Sequence, residues 1–190
     1  MVWIRVIDPA AAEGRLGRIY RQAGGAGPVD QILQAHSLRE HTLEGHMALY
    51  RSVLHHPRNR LEPSFAEAIG VLVSRINGCA YCVSHHRRGM QEALADPGLA
   101  DAWSVALDCG RYDAVFDRRQ RAALDWAGKV TRAPQECSES DIEALRRAGW
   151  DDGEILEICQ VSAYFAYANR VVLGLGVTTR GEGPGAPSAA

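Results

Sequence analysis

Residues 63–95 read PSFAEAIGVLVSRINGCAYCVSHHRRGMQEALA, and the fold turns on how that stretch divides. Pro63 opens a helix, because proline suits a first helical position, where its missing N–H costs nothing. Asn77-Gly78 closes that helix, since both residues tolerate the left-handed backbone at a helix end. A second helix begins at Cys79 and runs to about Ala95, where Asp96-Pro97-Gly98 breaks it. Helices joined so tightly fold back on each other as a helical hairpin.

The hairpin decides whether four residues can cooperate. Glu67, Cys79, Cys82 and His86 are spaced E-x11-C-x2-C-x3-H. On one straight helix Glu67 and Cys79 would lie roughly 18 Å apart. With the chain reversed at Asn77-Gly78, Glu67 comes level with residues 86–88 and faces His86 first. Cys79, Cys82, His86, Gly89 and Ala93 share one face of the second helix. On the first helix Phe65, Ala68, Ile69, Leu72 and Ile76 form the main apolar stripe. Glu67 stands off that stripe, in a narrow strip with Gly70 and Ser74, both small enough for close approach of a neighbour. Contact between the two strips brings Glu67 to His86 and His86 to Cys82. The first helix is nearly apolar all round, so another element is expected to cover its remaining sides.

Working outward, the chain reads as helices with short turns. Asp8-Pro9 is a start signal for a helix ending by Gly24-Gly25. Others are expected at about residues 29–36, 39–55, 99–109, 118–132, 138–148 and 152–173. Ser138 with Asp141 resembles a capping arrangement, and Gly149 fits the following stop. Only residues 2–7 suggest an extended segment. The expected fold is all-α, in a single domain over 1–180, with a Gly, Pro, Ala and Ser-rich tail at 181–190 expected to be disordered.

Bulk properties narrow the function. The 190 residues, 46% hydrophobic, suffice for one globular core. A net charge of -2 without a long basic run argues against nucleic acid or an anionic membrane as partner. No stretch approaches the roughly 18 apolar residues of a membrane span. The first residues lack the pattern of a secretory leader, so a cytoplasmic protein is expected. Five cysteines, with one close pair, do not make a secreted disulfide framework. Cys109 and Cys159 are expected as buried small hydrophobes, and Cys137 as a loop cysteine.

Taken singly, Glu67 and His86 would ordinarily be read as surface residues. The cysteine pair is less easily dismissed. In a reducing compartment a C-x-x-C is catalytic or metal-binding more often than structural. A thiolate is the reactive form of cysteine, a nearby base or helix N-terminus makes it available, and a second thiol captures the oxidised first as a disulfide.

The run Glu67…Cys79-Ala80-Tyr81-Cys82-Val83-Ser84-His85-His86 resembles the alkylhydroperoxidase D (AhpD) group of the carboxymuconolactone decarboxylase-like family, in its peroxidase-related subgroup. Ser74-Arg75-Ile76-Asn77-Gly78-Cys79, His36-Ser37-Leu38, and Asn169-Arg170 near Gly174-Leu175-Gly176 extend the resemblance over about residues 8–178. It implies an all-helical antioxidant fold assembling into a homo-oligomer (trimer, dimer or hexamer). The implied activity is reduction of hydroperoxides by a cysteine pair, with an external dithiol as electron donor and no bound cofactor or metal. By motif position Cys82 is the peroxidatic thiol, Cys79 the resolving thiol, and Glu67 with His86 the proton relay. Helix-dipole reasoning alone favours Cys79 as the attacking sulfur, because it lies nearer the helix N-terminus. Some members carry a second catalytic histidine immediately before the second cysteine, where this chain has Tyr81.

Other chemistries fit parts of the pattern. A general thiol–disulfide oxidoreductase uses the same pair. A zinc site would need Glu67 or His85 as a fourth ligand beside Cys79, Cys82 and His86. A lactone decarboxylase has no need of a cysteine pair. A helical oligomer could use the disulfide as a switch without turnover.

Overall fold

The computed structural model describes residues 2–24 and 28–179. The expected tail at 181–190 lies outside the described residues. The helices are α1 (Gly14–Gly24), α2 (Gln31–Ala35), α3 (Glu40–Leu54), α4 (Pro63–Ile76), α5 (Ala80–Leu94), α6 (Pro97–Cys109), α7 (Arg118–Arg132), α8 (Glu139–Ala148) and α9 (Asp152–Gly174). The all-α expectation holds, and no strand occurs among the described residues. Residues 2–7 are irregular rather than extended in a ladder. Asp8-Pro9 opens only a 3-10 turn, Pro9–Ala11, and α1 starts afterwards at Gly14.

The hairpin forms where the glycine signal puts it. Asn77 caps α4, Gly78 takes φ +72°, and the Cys79 N–H donates to the Ser74 carbonyl at 2.8 Å. Such positive φ costs glycine nothing and any side chain something. Elsewhere helix starts follow from local chemistry: Asp117 with Gln120, Ser138 with Asp141, and Asp151 with Glu154 form reciprocal capping boxes.

Helix α4 is the axis of the molecule. Every residue from Phe65 to Ser74 is buried, because α5, α6, α7 and α9 all pack against it. Its near-continuous apolar sequence is therefore required. Phe65 stacks on Trp150 with centroids 5.8 Å apart, while Phe165 of α9 is fully buried beside Gly70. Each such side chain contributes about 1.5–3 kcal/mol through removal from water. Cys79, Tyr81 and Cys82 belong to a smaller apolar cluster with Ala35, Val172 and Val177. The expectation for Cys109 is corrected: it is exposed at the C-terminus of α6, and Cys159 is only half-buried. Apolar neighbours in sequence do not decide which side of a helix faces the core. No helix among the described residues is long and apolar enough to cross a membrane.

Candidate functional site

Glu67 is buried at the centre of α4, with 5% of its surface exposed. His86 is on α5, and its Nδ1–H donates to Glu67 Oε2 at 2.7 Å. The carboxylate, an acceptor only, thereby fixes the proton on Nδ1 and leaves Nε2 as the imidazole acceptor. The ring of His86 stands edge-on to Phe165, with centroids 4.3 Å apart and planes at 79°. Gly89, one turn on, leaves room for the carboxylate. The strip-to-strip contact expected from the sequence is thus formed, and it delivers Glu67 to His86.

Cys79 caps the N-terminus of α5: its sulfur accepts the Cys82 N–H at 3.4 Å, and the two sulfurs are in hydrogen-bond contact at 2.6 Å. Both residues are almost fully buried, at 1% and 3% exposure. Charge in the pair settles on Cys79. The hydrogen bond received from Cys82 lowers the Cys79 thiol below its ordinary value, although burial opposes this. Donating that bond raises the Cys82 thiol, and burial raises it further. The amide of Asn169 on α9 acts the other way, as a hydrogen-bond partner that lowers the Cys82 thiol. Asn169 is fully buried and is itself held by Ser74 Oγ at 3.1 Å and by Asn77 at 2.9 Å.

Access differs between the two sulfurs. A pocket of about 40 Å³ opens beside α5, lined by Cys82 and His86 with His46, Met47, Tyr50 and Tyr164 among its walls; Cys79 does not line it. No hydrogen bond among the described residues joins His86 to either sulfur. The second expected contact, His86 to Cys82, is a shared pocket wall rather than a direct bond.

Tyr81 lines the same pocket as Cys82 and His86. Its hydroxyl accepts the Ile32 N–H at 3.4 Å, tying α2 to α5, and its ring packs on His85 at 4.3 Å. Among the described residues no group of three or more His, Cys, Asp or Glu side chains is arranged to hold a metal ion.

Three contributors to the site were not singled out from their residue types. His46 belongs to the buried face of α3 with Leu43, Met47, Tyr50, Val53 and Leu54, and a histidine on such a face was the available signal. Asn169 and Phe165 lie more than 80 residues from the cysteines, and only packing of α9 across the hairpin brings them in.

An all-helical frame, a C-x-x-C at a helix N-terminus and a buried Glu–His pair define a class, and comparison agrees. The sequence model of the Carboxymuconolactone decarboxylase family matches residues 41–129. An uncharacterized peroxidase-related protein from Silicibacter sp. TM1040 is 32% identical, over 85% of this chain and 81% of its own, with a TM-score of 0.73. The alkylhydroperoxidase AhpD core of an uncharacterized peroxidase-related protein from Ralstonia eutropha JMP134 is 28% identical over 93% and 91%, with a TM-score of 0.79. The debrominase Bmp8, 16% identical over 94% and 93% with a TM-score of 0.71, shares the fold. No curated protein matches the chain. The chain belongs to the carboxymuconolactone decarboxylase family, in its AhpD-like, peroxidase-related group.

Proposed function

We propose that the protein is a thiol-dependent peroxidase that reduces hydroperoxides with the Cys79/Cys82 pair and an external dithiol. The observation that carries this reading is the meeting of Cys82 and the Glu67-oriented His86 in one small pocket, with Cys79 bonded directly behind Cys82.

His86 Nε2 takes the first proton of the thiol pair, leaving a thiolate on Cys79 that holds the Cys82 S–H. Cys82 passes that proton to Cys79 and attacks the distal peroxide oxygen, forming an S–O bond as the O–O bond breaks. His86 returns its proton to the departing alkoxide, giving alcohol, or water from hydrogen peroxide. Cys79 then attacks the Cys82 sulfur. Its proton and the sulfenic hydroxyl leave as water, and the Cys79–Cys82 disulfide remains. The external dithiol reduces it by exchange and is itself oxidised to a disulfide. Cys82 is the attacking sulfur because it faces the pocket, and Cys79 serves as its internal proton acceptor. A homo-oligomer is the proposed assembly.

The test is peroxide consumption with dithiothreitol as donor, comparing wild type with Cys82→Ala, Cys79→Ala and Glu67→Gln. Turnover lost in both cysteine variants and cut by about 10²-fold or more in Glu67→Gln supports the relay. A wild type that forms the disulfide without turnover sinks the peroxidase reading and leaves a redox switch or a general thiol–disulfide oxidoreductase. Sulfenic acid on Cys79 in Cys82→Ser treated with peroxide would reverse the order of the sulfurs.

A further inference from the structure

His85 is a buried imidazole that the proposed cycle leaves idle. It is 7% exposed and lines the pocket together with Cys82 and His86. On α5 it stands three residues after Cys82, and His86 stands four after, so both imidazoles lie one turn beyond the same sulfur. Their surroundings differ. His86 is bound to Glu67 through Nδ1. The His85 ring packs instead on Tyr81, with centroids 4.3 Å apart, and Tyr81 belongs to the buried cluster that holds Cys79 and Cys82.

The ring is set up to accept a proton. Arg88, which can only donate, directs Nη2–H at His85 Nδ1 from 3.5 Å. Nδ1 is therefore the acceptor nitrogen of the uncharged ring. That contact is longer than the roughly 2.7–3.2 Å of a firm hydrogen bond, so it does not tie up the lone pair. Asp30, also 7% exposed, brings a carboxylate to the same pocket wall, where negative charge favours an imidazolium. Charge on His85 is felt at the second sulfur as well, since it helps to lower the Cys79 thiol.

Closing the disulfide calls for such a group. After the peroxide step Cys79 carries a proton and Cys82 carries the sulfenic hydroxyl. The thiol must lose its proton to become a nucleophile. The departing hydroxide must gain one, and a side chain that takes the first proton and delivers it to the second serves both needs.

We propose that His85 is this proton carrier, resting on the peroxidase reading for the origin of the sulfenic acid. Its imidazole takes the Cys79 proton as Cys79 attacks the Cys82 sulfur. The S–O bond breaks as the S–S bond forms, and the same proton passes to the hydroxide, giving water. The two histidines thus divide the cycle: His86 with Glu67 serves O–O cleavage, and His85 serves disulfide closure.

Rapid-quench oxidation of the reduced protein by hydrogen peroxide reads the two steps separately. Dimedone trapping, mapped by peptide mass spectrometry, counts the Cys82 sulfenic acid, and loss of both free thiols counts the disulfide. In His85→Gln the sulfenic acid should form within about 3-fold of the wild-type rate, while closure slows about 100-fold and the trapped adduct accumulates. His85→Phe, which keeps a ring against Tyr81 without its nitrogens, should behave the same way. Equal slowing of both steps in His85→Gln, as loss of mere packing would give, overturns the proposal. So does a wild-type closure rate in His85→Phe.

A second reagent separates this failure from that of the peroxidase reading. Methyl methanethiosulfonate converts the pocket-facing Cys82 into a methyl disulfide. Cys79 then attacks the Cys82 sulfur, its proton leaves with methanethiol, and the same disulfide closes without any peroxide. A protein inert to hydrogen peroxide whose closure from the methyl disulfide still slows about 10-fold or more in His85→Gln would sink the peroxidase reading and uphold the role of His85. An unchanged closure rate from the methyl disulfide would overturn that role.

Discussion

Gly89 lies directly against Glu67: a Cβ on residue 89 would stand 2.9 Å from the carboxyl carbon and 3.0–3.1 Å from its two oxygens. The carboxylate ends a flexible side chain, so it would yield before the backbone did. Gly89→Ala is therefore expected to push Glu67 off His86 and lower kcat/KM for peroxide by about 10–100-fold, at or below the lower end of the roughly 10²–10⁴-fold that a general acid–base group contributes. Stability should hold, because alanine in a helix interior gains about 1 kcal/mol over glycine. Steady-state kinetics beside a thermal melt separate the two effects.

Gly70 presents the opposite case. A Cβ there would meet the ring of Phe165 at 2.4 Å, and that ring is fully buried with nowhere to turn. Gly70→Ala should destabilise the fold by about 1–3 kcal/mol through overpacking. It should also displace the ring that sets His86 edge-on. Urea unfolding gives the first quantity, and residual activity in native buffer the second.

The thiol pair should titrate out of register. Cys79 is held low chiefly by the bond it receives from Cys82, and Cys82 is held high chiefly by donating it. In Cys79→Ser, the Cys82 thiolate should form at lower pH than in wild type, having lost its acceptor thiolate. In Cys82→Ala, which removes the donor, the Cys79 thiolate should depend mainly on its helix-capping N–H, and its midpoint should rise. Ultraviolet absorbance of the thiolate against pH reads both, and midpoints that do not move would contradict the coupling.

His46 sets an acid limit on stability. Burial, reinforced by His36, lowers it to about 4 in the fold, against about 6.5 in an unfolded chain. Between those values the unfolded chain binds a proton that the folded protein does not. This contribution is fully present above about pH 6.5 and declines as pH falls toward about 4. At about 1.4 kcal/mol per pH unit the loss reaches about 3 kcal/mol. Denaturant midpoints from pH 7 to pH 4 should show it, and His46→Phe should flatten that slope.

Most helix ends were legible because their causes are local. Pro63, Asn77-Gly78, Asp96-Pro97 and Ser138 with Asp141 act over one turn of backbone, and the helices start and stop beside them. The Glu67–His86 meeting was legible for the same reason, since a two-residue turn sets the register of the hairpin. Asp8-Pro9 misled because its signal starts a turn without ensuring that the helix continues. Cys109 misled because its apolar neighbours fix composition and not facing.

The sequence by itself determined that the chain is helical, that it reverses at Gly78, and that two thiols, an imidazole and a carboxylate share one hairpin. These follow from backbone preferences and side-chain periodicity, which act over a few residues. Only the tertiary structure decided that Glu67 is buried, that Cys82 and not Cys79 faces the pocket, that His46 and Tyr164 line it, and that Asn169 hydrogen-bonds Cys82. Those side chains come from α3 and α9, far from the cysteines along the chain. Their arrival depends on α4 being buried on every side, a requirement of packing that no local pattern states.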